Sequence, residues 1–487
     1  MRSSPEDMDS PPTRTRAPRV LNRLVQVVTL CSLGLLVLST QFPSSVFFNT
    51  GSIFRPWEVS TVDKMERMFA TKTRYWDQRD GYLSKDNVAM TRALISLPAL
   101  ANMANRPPLR QELELIQTQI VARHGIRYPT GGNIHEIYDL LGRLKPFEDL
   151  LPAWMKNYTL PYNLSVQGEL AVAGKDELRK LGVRFLARSG HNRPVAYSKE
   201  KYRIAHTYVA RTRDSAIAFA DSFFGNPEDV EYIEYPKNKD ILLRFFDQCP
   251  RYQREVKRNQ TAQAQLYQFQ NSSAMTKVAQ WLKQSLGLHE ENIQFSAKDL
   301  MTVQSACAFD IALYHHKHHW CSVTSKTFIR SLDYLDDLEE FYWIGGGYKI
   351  NYEMAALLLR EIFNTMKEKS SGKSTLAGNF FFAHAETTLP LMTLLGYGDR
   401  ALLLANATNA DIESRRFRTS ILSPFAANIE FHLYKRKSSG GEFYVEILIN
   451  EKEVPIPGCG RVLCKLSELE RLWHYYLKTY SFHQDCL

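Results

Sequence analysis

The sequence lacks several features that would have fixed its class at once. No cysteines stand at zinc-binding spacing, and no glycine loop closes on Lys-Ser/Thr, so neither a zinc module nor a P-loop is indicated. No lysine/arginine block is interleaved with aromatics, which argues against a nucleic-acid partner. Internal repeats and long low-complexity tracts are missing too, so solenoids and disordered scaffolds drop out. Long apolar runs are scarce. The run from Leu24 to Leu38 is broken by Gln26, Thr29, Cys31 and Ser32, and is short for a membrane span unless Phe42, Val46, Phe47 and Phe48 extend it.

What is present describes a globular chain. Its 487 residues are 44% hydrophobic and 12% aromatic, long enough for two domains. Lys+Arg number 61 against 52 Asp+Glu, a net charge of +9 that suits a polyanionic partner. Residues 1–23 are polar and carry Arg14, Arg16, Arg19 and Arg23 ahead of the apolar run. A basic flank before an apolar run is the pattern of a secretory signal or a signal anchor. Residues 1–48 are expected to be that leader, cleaved near Val37 and Ser39 or retained as a membrane attachment through 24–48. The rest should then face the lumen or the outside, in the ER, at the cell surface or secreted. Beyond Cys31, six cysteines remain, an even number that suggests disulfides, although six allow fifteen pairings. Sequons at Asn157, Asn163, Asn259, Asn271 and Asn406 fit the same route. The ending SFHQDCL has neither a KDEL-type signal nor a hydrophobic tail.

Strand and helix patterns alternate at both ends of the chain. Glu112 to Ala122 reads as a strand, and the segment with Leu178, Leu181, Phe185 and Leu186 as a helix. RIAHTYVARTRD predicts a strand, a turn and a helix from about Asp214 to a stop at Gly225. Glu255 to Leu286 is Gln-rich and helical with loops. Helices are also expected through Val303, Cys307 and Ile311, and from Tyr352 to Lys369. SSGG joins two late strands as a hairpin. The α/β pattern is expected over 49–245 and 346–487, with an inserted α-helical domain at 246–345.

Two strand ends carry the chemistry. One runs into RHGIRYP, residues Arg123 to Pro129. Two arginines bracket a histidine, and guanidinium forks match phosphate oxygens. Gly125 allows close approach and Pro129 stiffens the exit. The other is FFFAHAE, where a buried strand ends in His384, Ala385 and Glu386. Sites in open α/β sheets lie beyond the carboxyl ends of strands, so these two segments can meet although about 260 residues part them.

RHGIRYP resembles the signature of the histidine acid phosphatases, and the second segment resembles that family's other motif. Most members carry His-Asp there. The His-Ala-Glu form looks like the branch of multiple inositol polyphosphate phosphatases. TKTRY, FFDQCPRYQREVKRN, CAFDIALYHHKHHWC and ETTLPLMTLLGY agree with that branch, and the resemblance runs from about residue 60 to the C-terminus. Ile126 departs from it, since a small polar residue is commoner there. The resemblance implies an α/β fold with a histidine-phosphatase-like central sheet, flanking helices and the helical insert. It implies hydrolysis of inositol hexakisphosphate and its lower forms, with 2,3-bisphosphoglycerate as a second substrate. It also implies the pairs Cys249–Cys486, Cys307–Cys321 and Cys459–Cys464.

The roles follow from the residue types. Neutral His124 attacks phosphorus, and Arg123, Arg127 and Arg211 hold the charge that develops. Arg211 should lie near a helix N-terminus, which itself favours an anion. His384 donates to the phosphate. Glu386 is the acid for the leaving alkoxide and then the base for water, so it must hold a proton part of the time. Lys72 and Arg74 are candidates for binding the other phosphates of a polyanion. No cofactor and no metal are expected. HHKHH, His315 to His319, lacks the partners of a metal site and reads as a solvated surface. Gly345 to Gly347 reads as a turn. Two alternatives stand beside this reading. One is a broad-specificity histidine acid phosphatase. The other is an inactive membrane-tethered binding protein, which should lack at least one of these site residues.

Overall fold

The computed structural model describes residues 67–75, 108–398, 400–438 and 441–486. The leader expected at 1–48, Cys31 included, lies outside them. Among the described residues no helix is long and apolar enough to cross a membrane.

In chain order the principal elements begin with β1 (Leu113–Arg123), α1 (Gly131–Leu144), α2 (Val172–Arg188), β2 (Tyr202–Thr207), α3 (Ala210–Phe224) and β3 (Tyr232–Tyr235). A helical stretch follows, with α4 (Ala264–Gln270), α5 (Ser273–Ser285), α6 (Ala297–Tyr314) and α7 (Lys326–Trp343). Then come α8 (Ala356–Ser370), β4 (Gly378–Ala383), α9 (Ala385–Leu395), β5 (Asn428–Arg436), β6 (Phe443–Ile449), β7 (Lys452–Val454) and β8 (Leu463–Lys465).

The strands form one mixed sheet in the order β3-β2-β4-β1-β5-β6-β7, with β8 also pairing β6. β3, β2, β4 and β1 run parallel, and β5, β6 and β7 continue antiparallel. β4 is apolar from Phe380 to Ala383 and β1 from Ile120 to Ala122, because both faces of the sheet are covered there. Phe380 and Phe382 pack against Phe185, Phe219 and Phe223 of α2 and α3. Phe381 and Val121 point the other way, into a core shared with α8 and α9. That core continues without a break through Phe269, Leu282, Phe328 and Leu332 of the helical stretch.

Two helix boundaries differ from the sequence expectation. α3 starts at Ala210 rather than near Asp214, because Val209 caps it without a side-chain acceptor and the capping preference of Asp misled. The helix expected over Tyr352 to Lys369 is two, Lys349–Glu353 and Ala356–Ser370, with no glycine or proline to mark the break.

Candidate active site

The sheet register sets the site. Arg123 at the end of β1 pairs with Ala383 at the end of β4, so the next residues, His124 and His384, emerge side by side. The His124 amide donates to Ala383 O at 3.0 Å, and the two imidazoles meet edge to face with centroids 5.6 Å apart. Both are buried.

The local contacts orient each ring. His124 Nδ1 lies 2.9 Å from Gly125 O. A carbonyl only accepts, so Nδ1 carries the proton and Nε2 keeps its lone pair. His384 Nε2 lies 3.0 Å from Thr207 Oγ1, at the end of β2. Thr212 Oγ1 gives its proton to Val209 O at 2.7 Å and has none for Thr207 Oγ1, 2.9 Å away, so the Thr207 hydroxyl donates to His384 Nε2 and the ring proton stays on Nδ1. Burial, and then the neighbouring Arg211, hold both histidines well below the ordinary imidazole range, so both are neutral.

Three guanidinium groups surround the pair. Arg123 donates to Ser423 O at 2.7 Å and lies 4.8 Å over the Phe425 ring. Arg127 donates to Tyr128 O at 2.9 Å and rests against Phe309 of α6. Arg211 stands in the first turn of α3. Arg213, its neighbour, instead pairs with Asp214 and is about half exposed. The buried Nε of Arg123 and of Arg211 has no partner among the described residues. Donors left open in a buried basic cluster are what an incoming anion satisfies. Burial pushes Arg123 down to about 10 and Arg127 to about 9, still far enough above neutral for both to stay charged.

Glu386 is the second residue of α9, after the cap His384, and is exposed. Its charge is felt at Arg123, Arg127 and Arg211, where it opposes the effect of burial. It therefore faces the cradle from the open side. Glu340 near the end of α7 lies close by. Burial, and next the charge of Glu386, push its carboxyl well above the usual range.

The segment Phe69 to Tyr75 borders the cradle. Arg123 donates to Thr71 O, Phe425 N donates to Thr73 O at 2.9 Å, and Ala70 N donates to Asp333 at 3.2 Å. Lys72 stands near enough to the buried Asp336 and the half-buried Glu339 to favour their charged forms. Arg74 Nη1 donates to His315 Nδ1 at 2.8 Å. His315 belongs to HHKHH, so that motif is more than a solvated surface. Its first residue touches the segment beside the site, and the ring of its last, His319, lies tilted against Trp154 with centroids 5.2 Å apart. Among the described residues no group of three or more His, Cys, Asp or Glu is arranged to hold a metal ion.

Ile126 is fully buried with Phe309, Ala312 and Phe425. An apolar residue there lets the loop after β1 pack on α6. Sequence reasoning did not single out Thr207, Glu177 or Asp333, and it read His315 as part of a solvated surface. Thr207 is an ordinary strand-end residue and the two acids ordinary helix residues in sequence, and only the tertiary fold brings them to the site.

The disulfides are Cys249–Cys486, Cys307–Cys321 and Cys459–Cys464, the pairing that the family resemblance implied. Asn157, Asn163, Asn271 and Asn406 are exposed and Asn259 is half-buried.

A histidine with a free ring nitrogen, seated among arginines beyond the carboxyl ends of parallel strands, is the arrangement of an enzyme that transfers phosphoryl groups through histidine. Residues 114–450 match the model of the histidine phosphatase superfamily, branch 2, and the chain belongs to that family. It is 28% identical over 452 residues to multiple inositol polyphosphate phosphatase 1 of Homo sapiens, covering 86% of this chain and 88% of the relative. It is equally 28% identical to the protein of that name from Gallus gallus, over 86% of this chain and 92% of the relative. In fold it resembles a Bifidobacterium longum multiple inositol polyphosphate phosphatase solved with inositol hexasulfate. That likeness has a TM-score of 0.64 at 17% identity, over 86% of this chain and 99% of the other. The phytase from D. castellii matches with a TM-score of 0.66 at 16% identity, over 87% of each chain.

Proposed function

We propose that this phosphatase hydrolyses inositol polyphosphates, inositol hexakisphosphate and its lower forms, through a phosphohistidine at His124. The supporting observation is the buried cradle. The free Nε2 of His124 sits among three charged guanidinium groups, two of which have open donors. Nε2 attacks phosphorus, an N–P bond forms and the ester P–O bond breaks. Arg123, Arg127, Arg211 and His384 hold the equatorial oxygens. Glu386 gives its proton to the departing alkoxide. Its carboxylate then takes a proton from water, whose oxygen attacks phosphorus and breaks the N–P bond. An inositol phosphate with one phosphate fewer and inorganic phosphate leave, and the enzyme is restored.

Lys72 and Arg74 bind phosphates not under attack, and 2,3-bisphosphoglycerate is a second substrate in this reading. Residues 246–345 act as a helical insert that supports the cradle from one side, through Phe309 against Arg127. Three disulfides and exposed sequons fit the secretory pathway, at the cell surface, in the ER lumen or outside the cell.

A broad acid phosphatase is the competing reading, since the chain is also 24% identical to an acid phosphatase of Schizosaccharomyces pombe. Phosphate release over time from inositol hexakisphosphate and from an aryl phosphate, with wild type and His124→Ala, separates the two. Stepwise release from the hexakisphosphate by wild type and none by the variant supports the proposal. Release from the aryl ester alone would overturn it.

A further inference from the structure

Two stretches of the site are far apart in sequence yet meet at one side chain of α2. Glu177 Oε2 accepts from Ile126 N at 2.9 Å, and Glu177 Oε1 accepts from Tyr75 N at 3.0 Å. Ile126 lies between His124 and Arg127 in the loop after β1. Tyr75 directly follows Arg74. The donors stand 51 and 102 residues from Glu177 in sequence, and no other described side chain accepts from both.

The chemistry of this joint is specific. Two backbone N–H groups converge on one side chain, so that side chain must offer two acceptors and no donor. A carboxylate does so, and the two N–H groups favour that form against burial, which pushes Glu177 up to about 7. An amide would turn an NH2 group toward one of the N–H groups and leave it unsatisfied. The other end of Tyr75 is fixed independently. Its hydroxyl donates to Glu451 at 2.7 Å and accepts from Asn428 Nδ2 at 3.1 Å, and Glu451 is gripped by Arg184 and Arg188. The side chain of Tyr75 is thus anchored to the β5 and β6 ends. The segment is also held at Thr71 O by Arg123 and at Thr73 O by Phe425 N, but among the described residues Glu177 is the side chain that joins the Tyr75 backbone to the backbone of the nucleophile's loop.

We propose that Glu177 is a positioning residue that sets the distance between the segment carrying Lys72 and Arg74 and the loop carrying His124 and Arg127. That distance decides whether a second phosphate on the substrate meets a cation while the first lies at His124. The inference rests on the proposed action on substrates with several phosphates. Loss of the joint therefore costs a polyphosphate more than a monophosphate.

The test uses the full chain and a ratio. kcat/KM is measured for inositol hexakisphosphate and for an aryl phosphate, in wild type and in Glu177→Gln. One lost hydrogen bond predicts a fall of about tenfold in the ratio of the two constants. A merely structural defect lowers the active fraction and scales both constants alike, so the ratio stays. A ratio unchanged within about twofold overturns the proposal, whatever the loss in either constant. Should Glu177→Gln lack a cooperative melt, Glu177→Asp carries the same measurement, with both acceptors kept and the reach shortened. Wild type itself reports separately on the underlying function. If it hydrolyses the aryl ester and not the hexakisphosphate, it is the substrate reading that fails.

Discussion

Gly125 and Gly174 touch backbone to backbone beneath the nucleophile. A Cβ on Gly125 would stand 2.4 Å from Gly174 O, and one on Gly174 would stand 2.1 Å from Ile126 O. Neither glycine is needed for a left-handed backbone. Both are needed because α2 runs so close to the RHG loop that no side chain fits between them. This closeness also brings Glu177, one turn further along α2, within reach of Ile126 N.

Gly174→Ala should therefore push the loop away from α2. The clash is with backbone, which cannot rotate aside, so a loss of about 1–3 kcal/mol is expected. Gly142→Ala is the matched control. It also lies in a helix, α1, but an added Cβ meets nothing within 4 Å. It should hold or raise stability by about 0.5–1 kcal/mol. Urea midpoints of the two variants check this, and a lower midpoint in Gly142→Ala than in Gly174→Ala would refute the packing argument.

Much of the site was legible because it sits at strand ends. A buried apolar strand that stops on charged residues is hard to explain otherwise, and RHGIRYP and FFFAHAE both do so. Gly125 was legible as a close-approach glycine, but its partner Gly174 was not, since nothing in AVAGKDEL says which loop lies opposite. Glu177 is one acid among the charges of KDELRK, and its role exists only once α2 is packed. The α/β class followed from alternation of elements, whereas the mixed strand directions and the parallel pairing of β4 between β1 and β2 needed tertiary information.

Glu386→Gln keeps the shape of the open side of the cradle but has no proton to give an alkoxide. Phosphoryl transfer from an ester with a poor leaving group should slow by about 10²–10⁴-fold. An activated aryl ester needs less help, so its phosphohistidine should still form and then persist, because no base activates water. Rapid quench followed by detection of acid-labile protein phosphate reads this. Turnover equal to wild type on inositol hexakisphosphate would remove Glu386 from the mechanism.

Thr207→Val deletes the hydroxyl that holds His384 Nε2 at 3.0 Å while nearly conserving volume. The residue is fully buried, so His384 Nε2 is left without its donor and no water replaces it. Activity should drop by about tenfold, as one net hydrogen bond suggests. KM for phosphate-bearing substrates should rise, because His384 is then free to turn away from the cradle. Steady-state kinetics beside a thermal melt distinguish this from global unfolding, and unchanged KM with intact folding would count against a positioning role for Thr207.

Far from the cradle, His432 on β5 is fully buried between two acids. Its Nε2 lies 3.1 Å from Glu430 and its Nδ1 3.6 Å from Glu446. Burial pulls its pKa down, but the hydrogen bonds and charges of the two glutamates outweigh burial and raise it above 6.5. Glu430 is held below 4.5, as burial is outweighed by Arg188 and then by His432. The signs are opposite. The His432 contribution is fully present below the unfolded pKa of about 6.5 and is lost as pH rises through the raised folded value. The Glu430 contribution is present above about 4.5 and is lost as pH falls through the depressed one. Both are in force together from about pH 4.5 to 6.5. His432→Gln should thus be less stable than wild type across that window, with the gap narrowing as pH climbs beyond it. Urea midpoints of both proteins from acid to alkaline pH test this. A gap that stays constant through the alkaline limb would show that His432 carries no charge in the fold.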